Sequence, residues 1–438
     1  MYDWGNHAFF TLVLGVLIAK YITGLATAAV GENGAIITIG GHEIVTAKSI
    51  YSYSVGISVF LQVFFLPVLG AIADYTHLKK TFLAVFCYLG ALSCALLFFA
   101  GDGNYFFASA LFIIANLSAG ASVVFFNSYL NDITTEDYRN KVSSWGFASG
   151  YAGGTITLIL GLIFLTYAES FGLSTAQAVR ICFLAAGIWW GGFALFTFFN
   201  LKRRLPVRTP PEGKHFIVAG FSELKDTFVE LFALKHTLRF LIAYLLYNDG
   251  IQTVIAMSAL LLSEEVLNPD GSRLKDSNLF IAFLIAQIVA FFGSLIFERL
   301  SRIVGSKYAI VVSLIVWSGI VIYGYGYLHT LTEAYIMSGT IGLVLGGSQA
   351  LSRSLFSQMI PAGREAAFFG IYAISERGTS WIGPIVFGLV AQLTNSYRPA
   401  ILTLIVFFIV GSLILLFTNT NKAIADAGNI PPEAPVVV

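Results

Sequence analysis

Ser49–Ala73 reads SIYSYSVGISVFLQVFFLPVLGAIA, Asp74–Lys80 reads DYTHLKK, and Thr81–Gly101 reads TFLAVFCYLGALSCALLFFAG. The two outer runs hold no Asp, Glu, Lys or Arg over 25 and 21 residues. A bilayer's hydrocarbon core is about 30 Å thick and takes about 20 apolar residues of helix to cross. Each run is therefore long enough to span, and the polar heptapeptide between them reads as a tight turn at one membrane face.

Working outward, the pattern repeats. Gly103–Asn131, Val142–Ala168, Ile181–Leu201, Ser277–Phe297, Tyr308–Thr332, Ala334–Ser352 and Pro399–Asn421 are also free of charge. Three more apolar stretches are interrupted: Ala8–Val30 by Lys20, Leu238–Ser263 by Arg239 and Asp249, and Ala366–Tyr397 by Glu376 and Arg377. The total is twelve, and twelve spans use roughly 240 residues of the 438 present. Composition agrees, with 57% hydrophobic and only 11% charged residues, where soluble domains carry about 25% charged. So little charge excludes a soluble enzyme. The expected fold is an all-α membrane protein of twelve transmembrane helices.

Six spans precede the segment 202–237 and six follow it. That segment carries Lys202, Arg203, Arg204, Arg208 and Lys214 with Pro206, Pro210 and Pro211, a solvated linker. Phe216–Leu234 then alternates apolar and charged residues at helical spacing, as an amphipathic helix on the membrane surface does. The expected division is 1–201, a first six-helix bundle; 202–237, the linker; 238–421, a second six-helix bundle; and 422–438, a tail. With the N-terminus inside, inner segments hold 17 Lys and Arg and outer loops hold 4. Basic residues stay on the cytoplasmic side, so both termini are expected to be cytoplasmic. Met1–His7 lacks a basic leader, so the first span is expected to be retained. The net charge of +1 suggests no nucleic-acid partner.

Short internal repeats relate the halves. Gly120–Asp132 in span 4 aligns with Gly346–Gln358 in span 10, which sets Asn127 against Arg353. Trp145-Gly146 matches Phe369-Gly370, and Tyr2…Asn6-His7 matches Tyr244…Asn248-Asp249. Their shared order points to a duplicated six-helix unit, a common transporter construction. The Gly-Gly pairs at 153–154, 191–192 and 346–347 read as close-packing devices rather than ligand contacts.

The turn Gly70-Ala-Ile-Ala-Asp74-Tyr-Thr-His-Leu-Lys79-Lys80 resembles the signature of the major facilitator superfamily, Gly-x-x-x-Asp-(Arg/Lys)-x-Gly-x-(Arg/Lys)-(Arg/Lys). The resemblance implies two pseudo-symmetric six-helix bundles, with Gly70, Asp74, Lys79 and Lys80 forming a gating latch. Gly70 would let two helices approach closely, and Asp74 would accept hydrogen bonds from a neighbouring helix N-terminus. Tyr75 and His77 replace the family's basic residue and glycine. In the second half, Glu298 and Arg302 stand where the glycine and aspartate belong. Being four apart, they can pair along one helix face.

Further segments resemble one branch of that superfamily, the vacuole-effluxer family of autophagy-linked vacuolar amino-acid exporters and their bacterial relatives. They are Tyr2-Asp3-Trp4-Gly-Asn6, Phe126–Ile133, Tyr247–Thr253, Gly346–Leu355, Phe368–Tyr372 and Gly383-Pro384. This resemblance implies amino-acid efflux. The compact loops differ from the longer fungal members and suit a bacterial inner membrane.

Ionisable groups within spans are costly, about 2.5–3.5 kcal/mol each on insertion scales, so they are the candidates for chemistry. Asp249 lies roughly 16 Å deep at 1.5 Å per residue, beside Asn248 and Gln252. It is either a binder of protons or ammonium groups, or one end of a fixed interhelical hydrogen bond. Glu376 and Arg377 project about 100° apart, so one faces the cavity and the other finds a neighbour. Arg353 is the natural partner for Glu376, leaving Arg377 to hold a carboxylate bidentately; the opposite assignment is nearly as good. Asn127, Gln349 and Asn6 add polar contacts or interhelical bonds.

No phosphate loop, no His/Cys cluster and no Ser-His-Asp order is present, so no cofactor, metal or catalytic residue is assigned. The expected function is alternating-access transport of a small organic solute, most directly amino-acid efflux, driven by protons or another coupling ion. The alternatives are export of sugars, drugs or other metabolites and, from another class, a non-transporting membrane scaffold or sensor.

Overall fold

The computed structural model describes residues 1–31, 34–40, 42–75, 78–101, 103–202, 216–266, 274, 276–375, 382–394 and 396–431. The charge-poor runs are helices. In the first half they are Tyr2–Val30, Ile50–Tyr75, Lys79–Leu96, Tyr105–Ser128, Arg139–Thr166 and Thr175–Asn200, spans 1 to 6. In the second half they are Lys235–Glu265, Asp276–Val304, Ser306–Gly326 and Leu331–Gln358, spans 7 to 10. Span 11 is described as two pieces, Glu365–Ala373 and Ile382–Thr394, and span 12 as Tyr397–Thr403 and Ile405–Leu416.

Among the described residues, ten helices are long and apolar enough to cross a membrane. The two further spans read from the sequence fall outside that set for physical reasons. Span 10 has 28 residues, but Gly346-Gly347-Ser348, Ser352, Ser354 and Ser357 dilute its apolar character. In span 11, residues 376–381, which include Glu376 and Arg377, lie outside the described residues. One element was not expected: strands β1 (Ala35–Ile39) and β2 (His42–Thr46) pair antiparallel between spans 1 and 2.

The chain forms two compact units. The first comprises Met1–Leu66, His77–Phe126 and Ser149–Leu205. Its core is Trp190 of span 6, fully buried against Phe9 of span 1 at 5.6 Å. A methyl group on Gly90 of span 3 would lie 2.4 Å from the Trp190 ring, so only glycine admits the indole there. Ala8–Leu17 of span 1 is a π-helix, the wider coil that recurs at functional sites. Lys80 donates through Nζ to the carbonyls of Phe198 at 2.7 Å and Leu201 at 2.5 Å. These are last-turn acceptors of span 6 that lack partners within their own helix.

The second unit comprises Pro67–Thr76, Asn127–Ala148 and Pro206–Val438. Pro67, inside the Ile50–Tyr75 helix, stands where the chain leaves the first unit and enters the second, removing one helical N–H there. Spans 8 and 10 meet backbone to backbone. A Cβ on Gly293 would lie 2.2 Å from the Leu343 carbonyl oxygen, and one on Gly342 would lie 2.3 Å from that of Ala286. Small residues at crossing points are how helices pack tightly where lipid supplies no hydrophobic drive. Lys307 repeats the role of Lys80, donating to the carbonyls of Leu416 at 2.7 Å and Thr418 at 2.9 Å at the end of span 12. Of the three glycine pairs, 153–154 and Gly347 are tight contacts, whereas Gly192 borders open space. The linker helix runs Phe216–Ala233.

Gly293→Val should push spans 8 and 10 apart at a cost of about 1–3 kcal/mol. Thermal unfolding in detergent should show a lower midpoint than wild type, whereas Gly319→Ala, facing open space, should leave it unchanged.

Candidate functional site

Asp74 ends span 2 beside the start of span 11. Its Oδ1 accepts from the Ala366 N–H at 2.9 Å and its Oδ2 from the Ala367 N–H at 2.8 Å, with the side chain buried. These amides open the Glu365–Ala373 helix, whose first N–H groups have no acceptor of their own. A carboxylate there gains both the hydrogen bonds and the positive end of the helix dipole. Gly70, one turn earlier, makes the approach possible, because a Cβ would lie 2.2 Å from the Ala366 carbonyl oxygen. Lys80 serves the end of span 6 instead, and Lys79 is half-buried at the start of span 3.

The loop feeding that helix is held by further contacts. Arg364, buried, pairs with Glu230 of the linker helix at 2.9 Å and donates to Thr227 at 3.0 Å. Asn131 donates to the Ser357 carbonyl at 2.9 Å, and Asn429 donates to those of Gln358 and Ile360 at 2.8 Å each. The carbonyls at the end of span 10 therefore find their donors in residues from span 4's end and the chain's tail.

Deeper in the unit lies Arg353 of span 10. Its guanidinium is buried and spread over a fixed set of acceptors: Nε to Ser143 Oγ at 2.9 Å, Nη2 to the Ser143 carbonyl at 2.8 Å and Nη1 to Asn127 Oδ1 at 3.1 Å. Phe147 lies against its face at 4.3 Å, a cation–π arrangement. The sequence repeat set Asn127 opposite Arg353, and the fold bonds them. Ser143 and Phe147 escaped the sequence reading, since a lone serine and phenylalanine in an apolar run carry no signal. Glu376, read as Arg353's partner, and Arg377 both lie outside the described residues.

Asp249, also buried, accepts the Gly383 N–H at 2.7 Å through Oδ2. An N–H available to another helix belongs to a first turn, and Pro384, which has none to offer, is suited to that position. Asp249 Oδ1 is buried without a hydrogen-bond partner among the described residues. Thr253 returns its hydroxyl to the Asp249 carbonyl at 2.7 Å. A Cβ on Gly383 would lie 2.0 Å from the Thr253 hydroxyl oxygen, so glycine is required for this approach of spans 7 and 11. Asn248 is buried alongside, while Gln252 and Gln349 are half-buried. Tyr247 and Ser352, bonded at 2.6 Å, tie span 7 to span 10. In the other unit, Asn6 is buried and its Oδ1 lies 3.0 Å from His7 Nδ1. Glu298 and Arg302 form the expected helical pair at 2.6 Å.

Buried charges lodged in a frame of membrane-length helices define a polytopic membrane protein of the major facilitator fold. Solved structures share that fold. A variant of the E. coli fucose:proton symporter FucP superposes with a TM-score of 0.67 at 12% identity, covering 95% of this chain and 98% of that one. A bacterial homologue of the iron transporter ferroportin, outward-facing, gives 0.63 at 13% identity, covering 95% and 96%. The chain belongs to the family described as vacuole effluxer Atg22 like, whose model matches residues 1–140 and 131–428. Among its relatives, the uncharacterized MFS-type transporter YxiO of Bacillus subtilis is 29% identical over 436 residues, covering 99% of this chain and 97% of the relative. Autophagy-related protein 22 of Coccidioides immitis is 29% identical over 481 residues, covering 93% and 78%.

Asp74→Asn should weaken both caps on span 11 by roughly 1–3 kcal/mol together. Hydrogen exchange by mass spectrometry should then report faster exchange in the peptide containing Ala366 and Ala367, with that of span 8 unchanged.

Proposed function

We propose that the chain exports a small zwitterion, most directly a neutral amino acid, by alternating access between two six-helix repeats. What carries this reading is a pair of opposite charges buried in spans of one unit. Arg353 presents a guanidinium pre-set by Asn127 and Ser143, and Asp249 retains a buried oxygen with no hydrogen-bond partner among the described residues. A charge so placed is expensive unless it serves a solute or ion. An α-amino acid supplies the complement of both, its carboxylate for Arg353 or Arg377 and its ammonium for Asp249 or Glu376. Asn248, Gln252, Gln349 and Asn127, all of that same unit, would complete the polar lining. Membership in a family described as vacuole effluxers supports the transport reading.

In this cycle Asp74 and Gly70 act as the latch, whereas Lys80 is held at the end of span 6. While Asp74 caps span 11, one face stays shut, and losing the two amide bonds is a step in opening it. The proposed topology puts both termini in the cytoplasm of a bacterial inner membrane, following the 17 to 4 distribution of basic residues.

Counterflow of radiolabelled neutral amino acids in proteoliposomes is the test, and exchange of at least one is the expected result. No exchange with any would overturn the substrate assignment. Asp249→Asn should reduce gradient-driven accumulation at least about tenfold while sparing exchange, because the amide keeps the hydrogen bond to Gly383 and loses the ionisable group.

A further inference from the structure

We propose that His7 is a second ion-coupling residue, the counterpart in the first repeat of Asp249 in the second. This rests on the transport reading above and extends it to a group outside the set of candidate residues. The repeat Tyr2…Asn6-His7 and Tyr244…Asn248-Asp249 keeps a constant offset, which carries Thr11 onto Thr253 as well. The fold treats the two sets alike, each within its own unit. A Cβ on Gly154 of span 5 would lie 2.4 Å from the Thr11 hydroxyl oxygen, and one on Gly383 of span 11 would lie 2.0 Å from that of Thr253. In both repeats a titratable side chain and a threonine one turn later face a glycine of the fifth helix of that half. One turn before Gly154 on span 5, Gly150 carries the imidazole itself, since a Cβ there would lie 2.4 Å from His7 Cε1.

The ring's hydrogen bonds identify where it would gain a proton. Nδ1 lies 2.8 Å from the Asp3 carbonyl oxygen and 3.0 Å from Asn6 Oδ1. Both are acceptors, so Nδ1 carries the hydrogen, and Nε2 is the nitrogen at which the ring takes up a further proton. Imidazole is the side chain whose charge ordinarily changes between about pH 5 and 8, and His7 is half-buried near the start of a span. Titratable groups beside it among the described residues include Asp3 on its own turn and Tyr151 of span 5, whose ring stands 5.6 Å away edge-on. Span 6 contributes Trp189 and Phe193 against Trp4, and neither titrates. Beside Asp249 are Tyr247 on its own helix, Gly383 from span 11, and the Phe408 ring and Phe407 Cβ packed on Gly250. One titratable centre per repeat lets each half respond to proton binding separately: His7 becomes positive on taking up its proton, and Asp249 neutral.

Three readouts on the purified full-length protein decide this. In proteoliposomes, His7→Asn should keep exchange within about twofold of wild type and lose at least about tenfold of accumulation driven by a pH gradient. The pH profile of exchange should flatten in the same variant. In detergent without substrate, tryptophan fluorescence of wild type should step between about pH 5 and 8 through Trp4, and the step should vanish in the variant. Accumulation and pH profile both matching wild type would overturn the proposal. So would equal losses of exchange and accumulation with an unchanged profile, the signature of a purely structural imidazole. If wild type exchanges no amino acid, the substrate reading fails, while the fluorescence step still decides His7: lost in the variant it supports coupling, retained it refutes it. Should His7→Asn not fold, Gly150→Ala displaces the ring without removing it. A shifted midpoint of the profile is then expected, and an unshifted one counts against the role.

Discussion

Lipid offers no hydrogen bonds, so every helix end and every charge near the membrane must find its partner within the chain. This protein meets much of that requirement by sending charged side chains from one helix to the ends of another, and leaves Asp249 Oδ1 without a partner among the described residues. Asp74 and Asp249 each accept amide hydrogens near the start of a piece of span 11. Lys80 and Lys307 each donate to the last carbonyls of a six-helix half, at spans 6 and 12. Acid at N-termini and base at C-termini is the arrangement the helix dipole favours, at about 0.3–1 kcal/mol per exposed contact and up to about 2 where partly buried. The glycines follow from it. A carboxylate reaches a backbone amide on another helix only if the two backbones nearly touch, and Gly70 and Gly383 stand at those two places.

The duplication is kept where it is structural and broken where the halves have different tasks. Lys80 and Lys307 do the same work at corresponding ends. Asp74 has no such twin: at its counterpart the sequence has Arg302, which turns back to Glu298 on its own helix. At this turn, then, the first half supplies an acid that caps a helix beyond its own hairpin and the second half supplies a base that does not. In the proposed cycle, a latch present once would bias the molecule toward one state, whereas two equal latches would cancel.

Sequence reading reached far here because hydropathy is additive along a helix and lipid enforces it. The runs from Ser49 to Gly101 could be nothing but a membrane hairpin, and the Gly70–Lys80 signature carried Asp74 to a helix N-terminus. What escaped it depends on three-dimensional proximity. Ser143 is an ordinary serine until Arg353 falls on it from 210 positions away. Arg364 reads as a topology signal, yet it is buried against Thr227 and Glu230 of the linker helix. The β-hairpin between spans 1 and 2 gives no sequence signal, because Ile37, Thr38 and Val45 sit in too short a stretch for alternation to stand out. Span 10 reads as a span from its lack of charge, although its serines and glycines dilute its apolar character.

Those serines have their own logic. Ser348, Ser352 and Ser357 donate to carbonyls of their own helix three or four residues back, so these three hydroxyls are satisfied without help, whereas the buried Ser354 hydroxyl has no partner among the described residues. Each hydroxyl oxygen can still accept, as Ser352 does opposite Tyr247 at 2.6 Å. A helix built this way can slide past its neighbours and lose an interhelical bond without stranding a polar group, because the intrahelical bond remains. Arg353 is the exception on the same helix: its guanidinium depends on Asn127 and Ser143, and its release requires a substitute anion or water. On the proposed transport reading, the residue of span 10 whose movement most needs compensation is thus the one best suited to make the helix's movement conditional on a bound solute.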